Sequence, residues 1–252
     1  IASSAVCSYL LGNTQEQTYH TLSQAFIDTG PLRTYRHSPN TGSRKSWAAG
    51  DATARGLFLA WMTSLGEKGY QTPLSAKNWG FEDAILSGNP LSLKRPLNSY
   101  VMGNILFKVA YPAEFHSQTA VEAAVQLHPQ VVNHLDKIKN IYIDTHEAAI
   151  RIIDKTGPLH NPADRDHCMQ YMVSVALLKG NLTAKDYEED VAKDPNIDLL
   201  RKKIVLREDL QFTEDYFDLD KRAITNQITI EWESGENLPP VKVEYPLGHK
   251  FR

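Results

Sequence analysis

The stretch 107–127, FKVAYPAEFHSQTAVEAAVQL, sits where the chain changes character, and its reading decides the fold. It opens on a cation, Lys108, breaks at Pro112, and presents Glu114, His116 and Gln118 in close succession. From Thr119 to Leu127 it runs into apolar residues at helical spacing, with Pro129 just past the expected end. An ionisable turn delivered onto a helix start holds side chains outside a core, beside backbone N–H groups that favour an anion. The same residues also make an ordinary solvated turn before an ordinary helix, and local pattern leaves both readings open. Just upstream, Ser87–Pro96 is rich in Gly, Asn and Pro, which places a boundary near residue 100. Residues 1–100 read as helical and residues 101–252 as α+β.

Further upstream, Ala2–Leu11 is a helix of small and apolar residues stopped by Gly12, and Thr14 with Gln17 forms a capping box for a second helix. Gly30–Lys45 is irregular and cationic, carrying Arg33, Arg36, His37, Arg44 and Lys45, with no acid between Asp28 and Asp51. It is either a carboxylate or phosphate clamp, or a solvated loop whose cations pair with acids elsewhere. Ser46–Leu65 is a helix. Its Gly50 and Gly56 each cost about 1 kcal/mol against alanine and make sense where another backbone packs close. A short helix follows over Lys77–Leu86, with Trp79 and Phe81 expected in the core.

Downstream, Lys137–Asp154 has isoleucines spaced in twos, a strand pattern interrupted by His146–Glu147. No second histidine follows at helical spacing, so that pair reads as orienting or structural before it reads as metal-binding. Asn161–Lys179 reads as one helix, with Asn161 as N-cap, Pro162 at the first position and Gly180 after the end. Its head carries Asp164, Arg165, Asp166 and His167, and its body is core. Thr183–Asp190 is another capped helix, and Arg201–Leu206, Thr225–Trp232 and Val241–Glu244 are strands. Residues 185–222, dense in both charges, read as a solvated outer face.

Composition removes several classes of function. The 252 residues are 42% hydrophobic and 23% charged, an ordinary soluble globular balance. A net charge of −3 argues against nucleic acid as a partner, and no apolar run approaches the roughly 20 residues of a membrane span. Two cysteines, Cys7 and Cys168, exclude a disulfide scaffold and a three-cysteine iron–sulfur cluster supplied by this chain alone. There is no repeat, P-loop, GxGxxG or GxSxG. With no initiator Met and no leader, the chain reads as a piece of something longer.

Were Arg36–Lys45, Lys108, Glu114–Gln118 and Arg165–His167 to converge, they would line a cationic pocket with His and Glu available for proton transfer, suited to a small polycarboxylate. Three strings carry a resemblance beyond this local reading: RTYRHSPNTGSRKSWAAGDATARG (33–56), FKVAYPAEFHSQTAVEAAV (107–125) and HNPADRDHCMQYMVSVALLKG (160–180). They resemble the MmgE/PrpD family, in matching order and over the entire chain. The resemblance implies an α plus α+β architecture: part of a mainly all-α helical domain, followed by a smaller α+β lid domain, with the active site between them in a homodimer. It implies a hydro-lyase on a small tricarboxylate, removing water from 2-methylcitrate to give 2-methyl-cis-aconitate in propionate breakdown through the methylcitrate cycle. No cofactor is implied, neither metal nor iron–sulfur cluster, and the compartment is bacterial cytoplasm or mitochondrial matrix.

The implied site follows residue by residue. Lys45 and Lys108 match the family's two site lysines. Either Glu114 or His116 stands where the related cis-aconitate decarboxylase has a histidine, the stretch here being one residue longer. His167 matches a histidine at the head of the Asn161 helix. Arg36, His37, Arg44, Gln118 and Arg165 are the expected substrate-binding residues. The alternatives are a non-catalytic fragment or dimerisation module, and a related citrate or cis-aconitate hydratase or decarboxylase. Family members are far longer, so 252 residues alone are expected to fall short of a complete catalyst.

Overall fold

The computed structural model describes residues 1–28, 32–36, 40, 42–93, 96–99 and 108–252. His37, Phe107 and the expected boundary at residue 100 lie outside the described residues. The chain divides into two compact units, Ile1–Asn98 and Ser99–Arg252.

The first unit contains α1 (Ala2–Leu10), α2 (Gln15–Ile27), α3 (Arg44–Ser64) and α4 (Phe81–Leu86). Its local punctuation follows the sequence. Gly12 closes α1 with a left-handed φ of +75°, and both reciprocal bonds of the Thr14–Gln17 capping box form. Small side chains set the packing. The buried positions of the first three helices are Ser4, Ser8, Thr21, Ser23, Ala25, Gly56, Ala60 and Thr63, with Ser8 and Thr18 hydroxyls 2.9 Å apart.

Gly56 meets α1 directly: a Cβ there would lie 2.9 Å from Ser4 N and 3.0 Å from Ser3 Cβ. Gly50 does not share that explanation, because a Cβ there would meet nothing within 4 Å. The two glycines therefore respond oppositely to alanine. Gly50→Ala gains up to about 1 kcal/mol of helix propensity. Gly56→Ala loses about 1–2 kcal/mol net, because overpacking against backbone outweighs the same gain. Urea denaturation of the two variants checks this, and equal stabilisation by both would refute the close contact.

Trp79, expected in the core, is 88% exposed. The helix begins only at Phe81, after a turn so tight that a Cβ on Gly80 would lie 2.4 Å from Leu74 O, and Trp79 belongs to that turn. Phe81 is half-buried and meets Phe26 edge-on at 5.4 Å. Val6, Tyr9 and Leu10 of α1 and Leu57, Phe58 and Trp61 of α3 are also exposed.

The second unit is α+β. Its helices are α5 (Gln118–Val131), α6 (Glu147–Ile153), α7 (Pro162–Asp166), α8 (Met169–Lys179), α9 (Glu189–Ala192), α10 (Pro195–Arg201) and α11 (Leu210–Phe217). Its strands are β1 (Ile138–Thr145), β2 (Ile204–Glu208), β3 (Asn226–Trp232) and β4 (Val241–Val243), ordered β2-β1-β3-β4. β1 pairs with β2 in parallel and with β3 antiparallel, and β4 continues antiparallel from β3. Ile138, Ile141 and Ile143 of β1, and Ile228 and Ile230 of β3, turn one sheet face into a core shared with α5 and α8. Every residue of α8 from Met169 to Leu177 is buried, as expected for a helix without a strong polar stripe.

Several boundaries differ from the sequence reading. The strand ends at Thr145, and the isoleucines after His146 belong to α6, where Ala148, Ala149 and Ile153 pack at helical spacing. Pro129 lies inside α5, which continues to the buried Val131. The Asn161 helix is two helices, α7 and α8, separated at His167 and an extended Cys168 with φ −130° and ψ 106°. Thr183 caps only a 3-10 turn, Ala184–Tyr187, and Arg201 ends a helix, with β2 starting at Ile204. The supposed outer face of 185–222 contributes Tyr187, Ile197, Leu200, Ile204 and Phe212 to the interior.

Candidate active site

Glu114 N-caps a 3-10 turn, Phe115–Ser117, that leads into α5, and its carboxylate accepts from the His116 backbone N–H at 2.8 Å. The same carboxylate lies 2.9 Å from His116 Nδ1 through either oxygen. The turn is pinned from several sides. Ser117 Oγ donates to Glu114 O at 2.6 Å, and Asn226 at the start of β3 donates to His116 O at 2.9 Å. Gln118 is buried, its amide donating to Tyr111 O and Ala113 O. Gln118 thus braces the Tyr111–Ala113 loop from inside, an engagement unlike the substrate contact expected of it.

Burial pushes the Glu114 carboxyl up, but the hydrogen bonds and charge of His116, with a further contribution from Lys108, outweigh it and hold the pKa below the usual carboxylate value. Glu114 is therefore an anion at neutral pH. An anionic carboxylate can only accept, so His116 Nδ1 carries a proton and Nε2 faces away from Glu114. The exposed Lys108 adds positive charge to this corner.

Two residues that sequence reading did not join to this turn complete it. Tyr216 on α11 places its hydroxyl 3.1 Å from His116 Nε2. His146, fully buried between β1 and α6, stacks on the Tyr216 ring with centroids 4.3 Å apart and planes 7° apart. His146 Nδ1 accepts from Ala149 N–H at 3.3 Å, which puts its proton on Nε2. Burial, then the neighbouring His116, lowers its pKa to about 3 despite Glu114, so the ring stays neutral. His146, read from sequence as orienting or structural, here caps α6 and packs against Tyr216. Tyr216 gave no signal, since it ends a charged segment that read as solvated surface.

The other expected site residues have identifiable surroundings. Arg165 is 3% exposed, donating to Tyr187 O at 2.6 Å and to Glu189 at 2.6 Å. It shares the wall of a cavity of about 700 Å³ with Lys155, Glu189 and Arg201, and none of Glu114, His116 and Tyr216 lines that cavity. His167 is buried with Nδ1 3.1 Å from Asp166. In the first unit, Arg44 pairs with Asp51 at 2.6 Å, and its guanidinium lies 4.2 Å from the Trp47 ring centroid. This is the pairing with acids elsewhere that the cationic segment allowed. Arg36 lies 5.5 Å from the Tyr35 ring centroid, and Lys45 is half-buried in the first turn of α3. Among the described residues, no group of three or more His, Cys, Asp or Glu is placed to hold a metal ion.

A carboxylate, an imidazole and a phenol in series form an acid–base set. The carboxylate fixes the imidazole tautomer and stabilises the imidazolium formed when Nε2 takes a proton.

The chain is 55% identical to the 2-methylcitrate dehydratases of Salmonella typhimurium and Escherichia coli strain K12, covering 53% of each, and 53% identical to the mitochondrial 2-methylcitrate dehydratase of Yarrowia lipolytica, covering 49%. All of this chain is matched in each case, so it spans about half the length of the curated relatives it matches. The MmgE/PrpD N-terminal domain model matches residues 1–94 and the MmgE/PrpD C-terminal domain model residues 111–252, and the chain belongs to the MmgE/PrpD family.

Proposed function

We propose that the protein carrying this chain is a hydro-lyase that removes water from 2-methylcitrate to give 2-methyl-cis-aconitate, in propionate catabolism. The observation that carries the reading is the Glu114–His116 pair, a half-buried carboxylate on a buried imidazole, in a chain 55% identical to proteins named for that reaction. Within the pair, His116 moves the proton and Glu114 orients it. Lys108 supplies positive charge beside this pair for a carboxylate of the substrate, and His167 assists the departing hydroxyl. The proposed proton chemistry rests on side chains and calls for no iron–sulfur cluster. The working form is a homodimer in bacterial cytoplasm or mitochondrial matrix. Among the described residues no helix is long and apolar enough to cross a membrane.

The test is incubation of the complete protein, and of the 252-residue chain, with 2-methylcitrate. Unsaturated product is followed by ultraviolet absorbance and identified by mass. Loss of water supports the hydro-lyase. Loss of CO₂ from cis-aconitate with no dehydration would overturn it in favour of a decarboxylase. Turnover by the complete protein alone would show that residues beyond these 252 complete the site.

A further inference from the structure

Glu114 and His116 account for one end of the acid–base set, and the remaining question is what lies at the other. His116 is 9% exposed and His146 is fully buried, whereas Tyr216 is half-buried and the outermost of the three rings. The Tyr216 hydroxyl is at 3.1 Å from His116 Nε2, the nitrogen that has to accept or release a proton. A hydroxyl both donates and accepts, so it serves either protonation state of His116: it donates to the bare lone pair and accepts from the N–H. The His146 ring lies flat on the phenol and is itself fixed by the Ala149 amide, so the position of the hydroxyl is set by packing.

We propose that Tyr216 is the outward end of a Glu114–His116–Tyr216 proton relay and that its hydroxyl, not the His116 ring, meets the substrate. The substrate C–H bond breaks and its proton forms a new O–H bond at Tyr216, while the original phenol proton passes to His116 Nε2. The electron pair left on carbon forms the C=C bond, and the C–O bond breaks with the hydroxyl, assisted by His167, leaving as water after taking a proton supplied from solvent. Glu114 holds the resulting imidazolium. The phenol is never a free phenolate. Burial first, and Glu114 next, raise its pKa, against the opposing charges of Arg151 and Arg222, with Glu147 adding to the rise.

The proposal rests on the hydro-lyase reading for its substrate, so its test has two arms. In the complete protein, Tyr216→Phe keeps the ring on His146 and removes only the hydroxyl. Dehydration kcat is expected to fall about 100-fold or more, with KM changed by about threefold or less and thermal unfolding unaltered. Dehydration at the unsubstituted rate would overturn the relay. In the second arm, ¹⁵N NMR follows the His116 ring in both proteins. The relay predicts that the Nε2 resonance shifts in Tyr216→Phe, where its hydroxyl partner is lost, while Nδ1, held by Glu114, stays in place. An unchanged Nε2 resonance would overturn the relay whatever the activity. Absence of dehydration by the unsubstituted protein, with the NMR change present, would sink the hydro-lyase reading and leave the relay in place for another substrate.

Discussion

On the hydro-lyase proposal, Glu114→Gln in the complete protein is expected to lower dehydration kcat by about 10²–10⁴-fold, the range a positioned acid–base group supplies, with a much smaller change in KM. The side chain keeps its size, and a glutamine oxygen still accepts from the His116 backbone N–H, so the turn survives. What is lost is the negative charge 2.9 Å from Nδ1. Without it the imidazolium formed during turnover has no counter-ion in a buried corner, and the Nδ1–H tautomer is no longer enforced. The loss corresponds to about 3–5 kcal/mol of transition-state stabilisation. Steady-state kinetics with 2-methylcitrate checks it. A kcat within a few-fold of the unsubstituted protein would remove Glu114 from the mechanism.

Mild acid destabilises the second unit through His146. In the folded chain its pKa is near 3, whereas an unfolded histidine titrates near 6.5. Between those values the unfolded state binds a proton that the folded state refuses, so stability falls as pH falls. The contribution is intact above pH 6.5, loses about 2 kcal/mol by pH 5, and reaches a loss of roughly 4–5 kcal/mol near pH 3. Glu114, whose folded pKa is depressed, acts in the same direction at the acid end: its contribution is present above the unfolded carboxylate value and lost as pH falls through the folded one. His146→Asn retains a side-chain acceptor for the α6 N-terminus and removes the titrating ring. Urea denaturation at pH 7.5 and pH 5 is expected to show a pH dependence smaller by about 2 kcal/mol in His146→Asn. An undiminished slope would show that His146 is not the group responsible.

Much of the local framework was legible because its causes lie within four residues of each other. The Thr14–Gln17 box, the Gly12 stop, Asn161 accepting from Asp164 N–H and Gly180 with φ +67° are all written as short sequence signals. Glu114 and His116 were legible for the same reason, two residues apart on one turn. Which nitrogen of His116 faces the carboxylate was not, because that depends on how the folded turn holds the ring. Patterns that serve two structures misled. Isoleucines after His146 fit a strand as well as the α6 turn they form, and a continuous helical pattern over Asn161–Lys179 hid the break at Cys168.

The sequence by itself determined the family, the helical and α+β halves, the principal caps and the ionisable turn at 112–118, since each depends on residue identity and short-range geometry. Only the tertiary structure decided that His116 faces Tyr216, one hundred positions further on, and that His146 lies against both. The physical reason is the order β2-β1-β3-β4. β1 ends beside His146, β2 runs parallel to β1 and leads into α11, and β3 begins at Asn226, which holds the His116 backbone. Which segments become sheet neighbours depends on the burial of the whole core, and no local run of residues records it.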